Sequence, residues 1–84
     1  MRYQSQKEKE MIVEATKEID ALNLFHLDTS IKDYSTQMIA FSVVENNIYQ
    51  AAIFIWRATK LKHDESEKLA LDLINKIHGT DLKN

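Results

Sequence analysis

The sequence predicts an all-α fold, a compact four-helix bundle, and three observations carry that expectation. The chain has no proline and a single glycine, so it lacks the punctuation an all-β chain needs at its turns. Near each end, apolar residues recur every three or four positions behind residues that cap helices well. Between these stretches runs Tyr34–Trp56, a long apolar segment whose one formal charge is Glu45. It must supply most of the core. One such segment in 84 residues makes a single domain, residues 1–84, near the lower end of what can bury a core of its own, with frayed ends expected at 1–4 and 80–84.

The first helix is expected over about 5–23. Ser5 with Glu8 three residues on has the form of a capping box, and Met11, Ile12, Ala15, Ile19 and Leu22 then recur along one face, with Lys7, Glu10, Glu14, Lys17 and Glu18 opposite. In the connection that follows, Phe25 and Leu27 are large enough to fold back onto the core. One of Asp28, Thr29 and Ser30 should open the second helix, about 31–45, whose shared face reads Ile31, Tyr34, Met38, Phe41 and Val44. Asn46 and Asn47 break it. Asn47 with Gln50 repeats the capping logic and starts a third helix, about 48–61, with Ile48, Ala51, Ala52, Ile55 and Thr59 as its stripe. The fourth, about 65–78, is capped by Asp64, buries Leu69, Ala70, Leu73, Ile74 and Ile77, and stops at Gly79. Asp72 and Lys76 stand four apart in the favourable acid-first order, a pairing worth only ~0.3 kcal/mol.

An alternative α+β reading makes residues 37–44 and 48–57 the strands of a hairpin between two helices, since both are rich in β-branched and aromatic side chains. Both faces of that hairpin would be apolar, and two helices would struggle to cover even one. Asn-Asn is also a weaker hairpin turn than Asn-Gly. The helical reading is therefore preferred.

Composition narrows function by exclusion. Without cysteine there is no disulfide framework and no thiolate metal cage. Glu45, Asn46, Asn47 and Gln50 interrupt the apolar run, so no stretch approaches the ~20 residues of a membrane span. The first residues, MRYQSQKEKE, lack the apolar core of a secretory signal, which points to the cytoplasm. A net charge of −2 with scattered signs gives no field to attract a polyanion.

No catalytic or cofactor constellation emerges. His26, His63 and His78 each have an acid nearby, but helical metal-ligand spacing is absent, and His63-Asp64-Glu65 matches the HxE of zinc deaminases without the cysteines that complete it. Serines 5, 30, 35, 42 and 66 lack a glycine-built oxyanion hole, and there are no glycines for a phosphate loop. The expected protein is not an enzyme and carries no cofactor or metal.

The apolar surplus is more informative. Two central helices would be apolar over much more than one face, with Ile39, Val43, Tyr49, Ile53, Phe54 and Trp56 off their main stripes. Trp56 is followed by Arg57, Lys60, Lys62 and His63 before any acid. A surface of Tyr49, Ile53, Trp56, Arg57 and Lys60 has the composition of an interface hot spot. The expectation is a small interaction module, an adaptor, inhibitor or regulator, that binds a protein partner or forms a homodimer through that surface. The alternative is a DNA-binding regulator in which 48–78 acts as a helix-turn-helix.

Overall fold

The computed structural model describes residues 5–24 and 29–83, and these form four helices, α1 (Gln6–Leu22), α2 (Thr29–Val44), α3 (Ile48–Ala58) and α4 (His63–His78), with no strand among them. The four pack against one another as an all-α bundle. Residues 37–44 and 48–57 are helical throughout, so the hairpin alternative falls. No helix among the described residues is long and apolar enough to cross a membrane.

Local chemistry explains each boundary. The Ser5 hydroxyl accepts from the Glu8 N–H at 3.1 Å, opening α1, and Asn23, in the left-handed region at φ 51°, closes it. The α2 cap, like Phe25, His26 and Leu27, lies outside the described residues. Between α2 and α3 the two asparagines divide the work. Asn46 takes the left-handed conformation, φ 61°, its N–H donating to the Val43 carbonyl at 3.0 Å while that of Asn47 donates to Ser42 at 2.9 Å. This is a Schellman closure. The Asn47 side chain then accepts from the Gln50 N–H at 3.0 Å and opens α3. A pair that is weak as a hairpin turn is thus well suited to stop one helix and start the next.

Three expected features are corrected. First, α3 ends at Ala58 rather than about residue 61, because Thr59 is extended (φ −130°, ψ −178°). Its hydroxyl donates back to the Ile55 carbonyl at 2.7 Å and accepts from the Leu61 N–H at 3.1 Å. Second, α4 begins at His63, two residues before the expected start; the Glu65 carboxylate accepts from the Lys62 N–H at 3.0 Å, while Asp64 accepts from the N–H of Glu65. Third, the buried face of α2 is Thr36, Ile39, Ala40 and Val43, whereas Ile31 and Tyr34 of the expected face are exposed. Apolar and polar residues are intermixed around α2, so it carries little phase information, and its neighbours choose which face is hidden.

The core gathers Ala15 and Ile19 of α1, Ile39, Ala40 and Val43 of α2, Ala51, Ala52 and Ile55 of α3, and Ala70, Leu73 and Ile74 of α4. The α3 and α4 faces are those expected from spacing. Small residues recur at these contacts, so the helices can approach closely and a few large aliphatics fill the remaining space. Two buried hydroxyls, Thr36 Oγ1 and Ser66 Oγ, have no hydrogen-bond partner among the described residues.

Polar ties join helices that are distant in sequence. His78 Nε2 donates to the Val43 carbonyl at 2.7 Å, fastening the end of α4 to the end of α2. Lys76 reaches Glu18 of α1 at 2.6 Å. The tail expected to fray is held back at its start: Asn75 accepts from Thr80 Oγ1 and the Leu82 N–H, each at 2.8 Å, and donates to the Leu82 carbonyl at 2.9 Å. Gly79, at φ +67°, supplies the left-handed residue that turns the chain into this tail.

The arrangement of neighbours leaves part of α3 uncovered. Helix α2 touches α1, α3 and α4, but among the described residues α3 touches α2 and α4 and makes no contact with α1. One side of α3 is left without a helix over it.

Candidate functional site

Two of the exposed aromatics, Tyr49 and Trp56, lie on α3, and a third, Tyr34, lies on α2. Once Asn47 fixes the first turn of α3, helical spacing sets Tyr49, Ile53, Trp56 and Arg57 along one side, with Ala51, Ala52 and Ile55 turned to the core. The four-residue link after Ala58 then brings back the first two turns of α4. His63 and Glu67, one helical turn apart, complete the second wall. Together Ile48, Tyr49, Ala52, Ile53, Trp56, Arg57, His63 and Glu67 line an open groove of about 460 Å³.

Its organising contact is the stack of Trp56 on His63, ring centroids 4.2 Å apart and planes 23° from parallel. That offset face-to-face geometry holds the indole in one orientation and joins the end of α3 to the beginning of α4. Trp56 nonetheless keeps 40% of its surface exposed, and Tyr49 keeps 78%. Arg57 and Glu67 bring opposite charges to the groove, so it is apolar within and neutral overall at its rim.

Four of the five residues expected to bind a partner, Tyr49, Ile53, Trp56 and Arg57, line this groove. Lys60 does not. Its place on the α3 face assumed that the helix continues to residue 61, and the extended Thr59 carries Lys60 off that face into the link. The sequence reading missed His63 and Glu67, because starting α4 at 65 left His63 in a loop. The overlooked signal is the three-residue spacing from Lys62 to Glu65, in which the glutamate alone caps through the backbone.

The groove's lining contains no nucleophile paired with a base, and no three His, Asp or Glu side chains among the described residues converge closely enough to hold a metal ion. What the arrangement can do is hold apolar side chains against a rigid aromatic wall. His78, the third histidine of the sequence, is spent on the α2 carbonyl. Compared with known protein families, with curated proteins and with solved structures, the chain finds no match.

Proposed function

We propose that the chain is a small, non-enzymatic, cytoplasmic interaction module, an adaptor, inhibitor or regulator, that binds a protein partner through the α3–α4 groove. The observation that carries this reading is the convergence of Tyr49, Ile53, Trp56 and Arg57 on one open apolar groove with Trp56 fixed by His63. Aromatic and arginine side chains in a well-packed concavity supply most of the binding energy at protein interfaces. Rigidity helps too, because a side chain already held in place loses little entropy on binding.

Affinity capture from the native host tests the reading, with the Trp56→Ala, Arg57→Ala double variant as control. A partner retained by the wild-type chain and lost by the variant is the expected result. The same proteins retained by both would mean that another surface binds them. Retention of duplex DNA with a steep salt dependence would instead favour the regulator built on residues 48–78.

A further inference from the structure

Helical spacing cuts a particular shape into the uncovered side of α3. Tyr49, Ala52, Ile53 and Trp56 stand at positions i, i+3, i+4 and i+7 and all four line the groove, which makes them the corners of a hole that receives one side chain of a facing helix. Three corners are large. The fourth, Ala52, is a single methyl group at the edge of the core, and that leaves depth for a large apolar side chain. There is no strand among the described residues, so no sheet edge offers itself to an extended segment, whereas a helix laid in the groove matches the spacing of the hole. Charge narrows the occupant further. Arg57 lines the groove from α3 and Glu67 from α4, and among the described residues neither side chain has a hydrogen-bond or ion-pair partner.

We propose that the groove's occupant is an amphipathic helix of a foreign protein, with a large aliphatic side chain in the hole, an acid on the flank beside Arg57 and a base on the flank beside Glu67. This rests on reading the groove as an interaction surface and names what fills it. A helix acidic on both flanks would set a carboxylate against Glu67, and one basic on both flanks would set a cation against Arg57. Like-charge contacts reject each of them, while the mixed helix satisfies both walls. Once docked, it also gives α3 the third helical neighbour that α2 already has.

Three synthetic peptides, titrated into the full chain at low salt, test the assignment. All are alanine-based helices with the same leucine stripe, and they differ only in their flanks: glutamate on one and lysine on the other, glutamate on both, or lysine on both. Trp56 is the chain's one tryptophan and is partly exposed, so covering it shifts its emission to shorter wavelength and reads binding directly. The mixed peptide is expected to bind tightest, in whichever direction it lies, and replacing its leucines by alanine to weaken it at least about tenfold. Glu67→Lys should move the preference to the glutamate peptide and Arg57→Glu to the lysine peptide. Both residues are exposed, so neither change threatens the fold, and circular dichroism of each variant checks this. No emission change with the mixed peptide up to millimolar concentration overturns the inference, while a host partner lost on Trp56→Ala, Arg57→Ala would leave the proposed function standing. Equal binding of the mixed peptide after two prolines are placed in its middle overturns the helical occupant. Equal affinity for all three peptides, or a preference that the two variants do not move, overturns the roles given to Arg57 and Glu67.

Discussion

The two halves of the central apolar segment, α2 and α3, are alike in composition and unlike in fate. Helix α2 has three neighbours, and its second half hides Ile39, Ala40, Ser42 and Val43, while Ile31 and Tyr34 in its first half stay exposed. Helix α3 has two neighbours; it buries Ala51, Ala52 and Ile55 and leaves Tyr49 and Trp56 outside. Apolar content therefore does not decide what is buried. The number of helices available to cover a surface does, and in a bundle this small one face remains over. On α3 the inner face holds the fold, and the outer face is the one the proposed interaction would use.

The strongest way to break that division is to cut each face in turn. Ile55 is fully buried, and Ile55→Ala should cost about 3 kcal/mol through lost burial and a residual cavity. For a domain whose whole stability is roughly 4–12 kcal/mol, that is enough to bring it near unfolding. Ile53→Ala, two residues away on the groove side, should cost well under half as much. Urea denaturation of both variants measures the ratio, and equal losses would show that the outer face is structural after all.

A second substitution asks whether α2 is as tightly enclosed as its neighbours imply. Ala40 is completely buried at a contact built from small residues. Ala40→Leu adds three carbons where helices meet and should destabilise by about 2 kcal/mol through overpacking. A neutral result in the same denaturation assay would mean that α2 sits loosely, and the contrast with α3 would weaken.

The legible and illegible parts of the sequence divide along the same line. Helices α1 and α4 have polar faces that fix their rotation, so Ala15, Ile19, Ala70, Leu73 and Ile74 could be read as core from spacing alone. The Asn46-Asn47 stop was legible because its chemistry is local: one asparagine takes the left-handed conformation and the other caps. The buried face of α2 was not legible. With Ile31, Tyr34, Ile39, Phe41 and Val43 spread around the helix, only the positions of α1, α3 and α4 choose among them. The candidate site lay between these cases. Residues 49, 53, 56 and 57 were readable as surplus on one helix, but His63 and Glu67 come from the next, and Lys60 was misplaced because the Thr59 hydroxyl ends α3 sooner than its apolar stripe suggests.

Thr36 offers a smaller effect of opposite sign. Its hydroxyl is buried on α2 without a hydrogen-bond partner among the described residues, a burden that a methyl group of the same shape would not carry. Thr36→Val should therefore stabilise the fold by about 1 kcal/mol, raising the denaturation midpoint with an unchanged slope. If the variant is instead less stable, the hydroxyl has a partner in solution, and the α2 side of the core is wetter than the packing implies.

Tyr49→Ala should have the smallest effect on stability and the most specific effect on binding. The side chain is the most exposed of the large apolar and aromatic residues among those described, at 78%, so little burial is lost when it is removed, and surface substitutions of this kind usually fall within about 0.5 kcal/mol. It is the second residue of α3, between Asn47 and Gln50, but the cap is made by the Asn47 side chain and the Gln50 N–H and not by the phenol, and alanine is the best helix former. The denaturation curve should overlay that of the wild type within error. Association through the groove should nevertheless weaken several-fold, because the phenol ring is an aromatic anchor at one end of the apolar surface. That pairing of results, binding lost and folding kept, separates the two faces of α3 more sharply than any core substitution can. The opposite pairing, a destabilised fold with association unchanged, would make Tyr49 part of the bundle and remove the groove from the candidate sites.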